Sequence, residues 1–308
     1  MLATPGTLPA DDGWAFEVKW DGVRALAAVT DGRLSLTSRA GNDVTSSYPE
    51  LAGLAEMSAA HNALLDGEVV AFDEAGRTDF GRLQSRMHVG RPGAALLART
   101  PVQLLVFDVL HLDRSSLLDG TYDERRGVLA ALDLQGAHWQ VPETFLSGGG
   151  QLLDATRAQG LEGVVAKRRS STYRPGRRSS DWVKVKHVRR TSAVVGGWKP
   201  GAGSRAGRIG SLLLGVHGPA GLVYAGHVGT GFDESALDRL AGLLGPLRHN
   251  RSPFADELPR SHARAAVWVE PELVVEVDYT EWTRDGRLRH PSYKGMRTDV
   301  AAADVVRQ

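Results

Sequence analysis

The sequence predicts a mixed α+β domain over residues 1–190, followed by a small β-rich domain over residues 191–308. Three observations carry that expectation. Apolar and polar residues alternate through much of the first half, which is the period of half-buried strands. Helical patterns fall between these runs without the regular strand–helix–strand repetition of a parallel sheet. Around Thr191 the texture changes to short apolar runs broken by glycine, proline and polar turns.

Taken in order, Trp14, Phe16 and Val18 form an alternating run that ends at Lys19. Val23–Val29 and Leu34–Thr37 flank Asp31-Gly32, a strong hairpin signal. Helices are expected over Pro49–Ala60 and Asp79–Met87, and buried strands over Ala63–Phe72 and Val102–Leu110. Thr121 followed three residues later by Glu124 is a capping-box pattern for a helix reaching Leu132. Val164–Ala166 and Trp182–Val188 read as two further strands. Beyond Arg190, five short strands and one helix over Glu234–Leu244 suit a small barrel of the OB type. The Gly-rich, basic segment Lys199–Gly210 is expected to be a mobile loop.

Composition narrows the chemistry. The chain contains no cysteine, which excludes disulfides, thiolate zinc sites and cysteine nucleophiles. No apolar stretch approaches the roughly 20 residues needed to span a bilayer, and no secretory signal pattern is present, so a cytoplasmic location is the default. The net charge is +1, but it is unevenly spread. Between Lys167 and Arg190 lie ten cations and a single acid, Asp181. Such a run is either a solvated face or a surface for phosphates, and the interleaved Tyr173 and Trp182 favour phosphates.

Lys19-Trp20-Asp21-Gly22 places a lysine at a strand end before a turn. A free lysine is protonated at neutral pH, and desolvation with a neighbouring cation or metal is what frees its amine to attack phosphorus. Alone this four-residue pattern is weak. Four further segments accompany it in order. They are Ser38-Arg39-Ala40-Gly41, Leu65-Asp66-Gly67-Glu68, Phe107-Asp108, and Glu162-Gly163-Val164-Val165-Ala166-Lys167 followed by Trp182-Val183-Lys184-Val185-Lys186. Alternation puts Lys184 and Lys186 on one strand face.

Together these segments resemble the motif set of the covalent nucleotidyltransferase superfamily: ATP-dependent DNA ligases, RNA ligases and messenger-RNA capping enzymes. Tyr173-Arg174-Pro175-Gly176-Arg177-Arg178, Gly196-Gly197-Trp198, Gly226-His227-Val228-Gly229-Thr230-Gly231-Phe232, Glu276-Val277-Asp278-Tyr279-Thr280-Glu281-Trp282 and Arg289-His290-Pro291-Ser292-Tyr293 narrow it to bacterial ligases of the non-homologous end-joining type. The resemblance implies an ATP-grasp-like adenylation (nucleotidyltransferase) domain of antiparallel sheets and helices over residues 1–190, and an OB-fold β-barrel over residues 191–308. It implies a DNA ligase (ATP) in which Lys19 forms a phosphoramidate with AMP. Glu17 lines the adenine pocket, Arg24 and Arg39 contact ribose or phosphate, Phe107 stacks on adenine, and Lys184 and Lys186 hold the α-phosphate. Glu68 reaches the ribose or a metal, and Glu162 binds the catalytic metal, Mg²⁺ or Mn²⁺. Arg189, Arg190, Lys199, Arg205 and Arg208 are candidate phosphate contacts. The implied partner is double-stranded DNA with nicks or ends, alongside Ku and separate polymerase or nuclease proteins. A monomer in the bacterial cytosol and nucleoid is expected, with no membrane. The N-terminal DNA-binding domain of larger ligases and the polymerase and nuclease domains of multidomain relatives are expected to be missing.

One position departs from the family. Its Arg-x-Asp-Lys pattern, which orients the leaving pyrophosphate, is here Arg297-Thr298-Asp299-Val300. Arg297 and Asp299 remain but one cation is replaced by valine, which implies slower self-adenylation. The rival readings are an RNA ligase or capping guanylyltransferase, and a non-catalytic nucleic-acid-binding relative. Against the second stands the joint presence of Lys19, Glu68, Glu162, Lys184 and Lys186, because a binding module needs basic charge but not this lysine with two carboxylates.

Overall fold

Asp31 and Gly32 both take left-handed backbone (φ 49° and 70°), so the expected tight hairpin closes between strands Val23–Thr30 and Arg33–Ser38. The structure is a computed structural model, and it describes residues 1–57, 61–203, 206–283 and 285–307. It divides into two units, Met1–His187 and Val188–Gln308.

The first unit contains two sheets. One has strand order Leu2–Pro5, Arg178–Lys186, Gly163–Arg168, Trp14–Val18. The other runs Arg33–Ser38, Val23–Thr30, Ala63–Val70, Gln103–Leu112, then the short pair Trp139–Gln140 and Gln135–Gly136. Neighbours in both are mainly antiparallel. Trp14, Phe16, Val164 and Ala166 bury one face of the first sheet, with Leu152 and Leu153 packed against them. The second sheet covers a core that includes Leu36, Leu51, Leu54, Leu65, Leu104 and Leu129.

The helices follow local signals where those exist. Thr121 and Glu124 complete the capping box, and the helix spans Tyr122–Ala131. Asp79 caps Phe80–Gln84 by accepting the Arg82 N–H. The expected Pro49–Ala60 helix is a 3₁₀ turn over Pro49–Gly53 and a short α-helix over Leu54–Met57; its last three positions lie outside the described residues. A helix over Gly149–Ala158 has no local cap signal. Its first N–H groups are instead satisfied by Asp11, which accepts from Gly148 (2.8 Å) and Gly149 (3.1 Å).

The second unit is built on one long strand, Arg189–Pro200. Its first half pairs with Val274–Tyr279 and its last residues with Val267–Val269. Ile209–Gly218 and Gly221–Val228 continue the sheet on the other side, and Ser292–Arg297 extends it beyond Val274–Tyr279. Among the described residues the sheet path does not close on its first strand. Helix Glu234–Leu244 buries Leu237, Leu240 and Leu244 in the same core. Val300 packs against that core as well. Among the described residues no helix is long and apolar enough to cross a membrane.

Candidate active site

Strand pairing in the first sheet turns one face toward a cleft. Glu17, Val165 and Lys184 fall in one register row, and Ala15, Lys167 and Trp182 in the next. Residues in register share a face, so two rows of the first sheet meet Arg24, Glu68 and Phe107 from the second. With Ala3, Val18, Lys19 and Trp20, all of these except the buried Ala15 line a cleft of about 560 Å³, its open mouth included.

Lys19 stands at the end of its strand, where its N–H donates to the Gly163 carbonyl (2.9 Å). On its other side Gly163 is pressed against the strand Arg178–Lys186, where only glycine fits: its φ is 146°, and a Cβ there would meet the Val185 carbonyl at 2.0 Å. The Lys19–Gly163 bond brings Glu162 beside Lys19. One Glu162 oxygen is bonded to the Lys19 amine, and the other lies 2.5 Å from Lys186 Nζ. Burial pushes the Glu162 carboxyl up, but Lys19 and Lys186 outweigh it and hold the group below the ordinary carboxylate range. Burial lowers Lys184, and the neighbouring Lys186 and Lys19 lower it further. Three amines and one carboxylate thus form an anion-seeking cluster at the cleft.

Glu68 is the second carboxylate. Burial raises it to about 8, against the pull of Lys19 and Arg24, while Asp66 and Glu162 add to the rise. Gly22 lets the turn after Lys19 lie against this strand, since a Cβ there would meet the Val69 carbonyl at 2.3 Å and Glu68 Cγ at 2.9 Å. Among the described residues no group of three or more His, Cys, Asp or Glu is placed to hold a metal ion by itself. A divalent cation that shares phosphate oxygens and water needs only one or two carboxylates. Glu68 and Glu162 fit that requirement, and the desolvated Glu68 carboxyl gains most from such a charge.

The floor of the cleft is an ionic lattice. Asp66 and Asp108 are register partners on neighbouring strands, and both are buried. Asp66 is bound by Arg24 (2.8 and 2.5 Å) and by the Tyr173 hydroxyl (2.7 Å). Asp108 is bound by the fully buried Arg125 (2.8 and 3.0 Å). Glu17 accepts from Tyr122 Oη (2.6 Å) and pairs with Lys167 Nζ (2.8 Å). Lys167 is itself buried among Phe107, Trp182 and Tyr122, 4.4–5.4 Å from their ring centres, and burial lowers it.

Glu17, Lys19, Arg24, Glu68, Phe107 and Lys184 therefore line one cleft, and Glu162 and Lys186 join it through the bonds to Lys19. Arg24 spends four N–H groups on Asp66, the Met1 carbonyl and Tyr173, which leaves little for a nucleotide. Arg39 is exposed on the turn after its strand and does not line the cleft. In the second unit, Arg297 is held by Asp299 (2.8 Å twice) and Glu276 (3.1 Å). Arg190 pairs with Asp278 (2.7 Å), Arg208 with Glu234 and Asp238, and Lys199 donates to the Ser261 carbonyl (2.5 Å). Arg189 is exposed, and Arg205 lies outside the described residues. Sequence reasoning missed Val165, Lys167 and Trp182 as cleft residues. The signal was period-two alternation from Val165 to Lys167, readable only once the strand's buried face was known.

An amine nucleophile beside a carboxylate and two further amines, next to an aromatic slot, is an arrangement suited to a nucleoside phosphate. The profile of the ATP dependent DNA ligase domain matches residues 7–186, and that of the ATP dependent DNA ligase C terminal region matches residues 205–300. The chain belongs to the ATP-dependent DNA ligase family. Within it, the chain is 44% identical over 310 residues to the multifunctional non-homologous end joining DNA repair protein LigD of Mycobacterium tuberculosis, covering 100% of this chain and 39% of that protein. It is 36% identical to LigD of Pseudomonas aeruginosa, covering 99% of this chain and 36% of that one. The chain thus spans well under half the length of these relatives. Among solved structures, the ligase domain of M. tuberculosis LigD matches at 43% identity with a TM-score of 0.57, over 100% of this chain and 97% of that one. A mycobacterial DNA ligase D complexed with ATP and MES matches at 43% identity and a TM-score of 0.58, with the same coverage. The family's C-terminal region is an OB-fold domain, which agrees with the fold class expected for the second unit.

Proposed function

We propose that this chain seals nicks with 5′-phosphate and 3′-hydroxyl ends in double-stranded DNA through a lysyl-AMP on Lys19, in double-strand-break repair by end joining. The observation that carries the reading is the Lys19 amine at the mouth of the cleft, bound to Glu162 and flanked by Lys184 and Lys186. Residues 1–190 act as the adenylation domain and residues 191–308 as the OB-fold domain.

In the first step the Lys19 nitrogen attacks the α-phosphorus of ATP, a P–N bond forms, and pyrophosphate leaves. Phe107 and Val165 present flat and aliphatic surface to adenine, while Glu17, with both carboxylate oxygens already oriented, faces the base edge. Lys184 and Lys186 place positive charge where the non-bridging oxygens gain negative charge. Glu162 has to exchange its bond to Lys19 before that nitrogen can attack. In the second step an oxygen of the DNA 5′-phosphate attacks the same phosphorus and Lys19 departs. In the third, the 3′-hydroxyl attacks the activated 5′-phosphate and AMP leaves. Magnesium or manganese, held by Glu68 and Glu162, supplies charge neutralisation at the phosphates. Arg297 and Asp299 orient the pyrophosphate. Arg39 contacts phosphate from its exposed turn, and Arg189, Arg190, Lys199, Arg205 and Arg208 contact the DNA backbone, Arg190, Lys199 and Arg208 after exchanging their present partners. The chain acts as a monomer in the bacterial cytosol, with Ku and separate polymerase and nuclease proteins at the same ends.

Nick sealing tests the reading. Duplexes with an all-DNA nick should be joined, and duplexes with the nick in an RNA strand should not. Joining of RNA alone would replace the DNA assignment by the RNA-ligase reading, and guanylate transfer from GTP by the capping reading.

A further inference from the structure

The ten cations between Lys167 and Arg190 divide by partner. Lys167, Arg168, Arg169, Lys186 and Arg190 are each in an ion pair with a carboxylate. Among the described residues, Arg174, Arg177 and Arg189 have neither an ion pair nor a side-chain hydrogen bond and are exposed, and of these Arg174 and Arg177 lie together on one turn. An arginine already paired has most of its field cancelled, so the unpaired ones dominate the potential of this face.

Their backbone is firmly mounted. Tyr173, just before them, is buried; its hydroxyl donates to Asp66 (2.7 Å) and accepts from Arg24 (3.0 Å), and its N–H donates to the Leu118 carbonyl (2.9 Å). Gly176 takes left-handed backbone (φ 68°), and the Arg177 N–H returns to the Arg174 carbonyl (3.3 Å). On the far side, the Leu2 N–H donates to the Arg177 carbonyl (2.8 Å), and Arg178 Nη1 donates to the Ala3 carbonyl (2.6 Å). The turn is thus fixed at both ends while two guanidinium groups project free. The strand that leaves it, Arg178–Lys186, carries Lys184 and Lys186 to the nucleophile. Cations therefore stand at both ends of this strand, Arg178 beside the turn and Lys184 and Lys186 beside Lys19, with Asp181 between them paired to Arg168.

We propose that Arg174 and Arg177 form a phosphate-gripping turn that holds the sugar–phosphate backbone of the nicked duplex on the first unit. This rests on the DNA-ligase reading above and adds a site to it. A preorganised turn loses little backbone entropy on binding, and arginine presents its donors in a fork suited to phosphate.

The test uses the full chain with Arg174→Gln/Arg177→Gln, beside the control Arg33→Gln/Arg99→Gln at two exposed arginines elsewhere in the unit. Binding is measured on a nicked duplex with a dideoxy 3′ end, across a salt series. Loss of two phosphate contacts should flatten the log–log salt slope by about 1.8 and weaken binding about tenfold at low salt. The control should bind as wild type, and Lys19 adenylation with ATP alone should be unchanged in both variants. An unaltered slope and affinity in the Arg174/Arg177 variant would overturn the proposal alone. So would a raised KM for ATP with normal nick binding, which would assign the turn to the triphosphate. A wild-type chain that adenylates Lys19 yet binds no nick would overturn the DNA reading instead.

Discussion

Glu162 is bonded through one carboxylate oxygen to the amine of Lys19, and its other oxygen is held by Lys186 at 2.5 Å. The carboxylate therefore neutralises a cluster that would otherwise hold three amines with no counter-charge. Glu162→Gln keeps the shape and removes the charge. Transfer of AMP from labelled ATP should fall roughly 10²-fold, the scale of removing one charge stabiliser from a site, with the melting temperature little changed. An unchanged rate would mean that Glu162 only pads the site.

Glu68 sets a pH dependence. Burial pushes its carboxyl up from the ordinary 4.5 to about 8 in the folded chain. Below 4.5 it is neutral in folded and unfolded chains alike. Between 4.5 and 8 the unfolded chain has lost this proton and the folded one has not, so the contribution of Glu68 to stability falls as pH rises and levels off above 8. Glu68→Gln should accordingly stabilise the empty protein, with the gain in melting temperature growing over that window. A divalent cation competes with this proton for the carboxylate, so the metal concentration needed for half-maximal self-adenylation should rise as pH falls below about 8 in the wild type and lose that dependence in the variant. A wild-type metal requirement flat through that window would count against this role.

The residues that titrate or pair could not all be read from the sequence, and the reasons are physical. Asp31-Gly32 and Thr121-x-x-Glu124 act within a few residues, so the hairpin and the helix Tyr122–Ala131 were legible. The helix Gly149–Ala158 was not, because its N-terminus is satisfied by Asp11, 137 residues from Gly148. The motif order brought forward Lys19, Glu68, Phe107, Glu162, Lys184 and Lys186, since each lies in a short fixed segment. Lys167 lies in one of those segments too, but its place beside Glu17 depends on which strands pair. Likewise, nothing local to Arg24 announces that Asp66 and Tyr173 occupy it.

Val300 illustrates the same limit. From the sequence it is a cation missing from Arg297-Thr298-Asp299-Val300; in the structure it is an apolar contact against the core of the second unit. Val300→Lys should therefore have two effects. It should speed self-adenylation by restoring a cation for pyrophosphate, and it should cost about 1 kcal/mol of stability through lost packing. Timing the burst of AMP incorporation beside a thermal melt separates them. A rate equal to wild type would remove any role of this position in the first step.

Arg125 and Asp108 form the most deeply buried ion pair of the floor, at 0% and 2% exposure. Burial alone pushes the Asp108 carboxyl up, and Arg125 opposes that. Arg125→Met would leave the carboxyl without its counter-charge, an effect of about 3–5 kcal/mol. Arg125→Met/Asp108→Leu should recover much of that loss. Denaturant melts of the two variants check the ordering, and a double variant less stable than the single one would contradict it.

The most direct measurement is the covalent adduct itself. After incubation with ATP labelled at the α-phosphate, a divalent metal and no DNA, the chain should carry one AMP, mapped by peptide mass analysis to Lys19. The label should leave as AMP when a nicked duplex is added, and Lys19→Ala should carry none. No adduct on the wild type, or an adduct that persists in Lys19→Ala, would contradict the account.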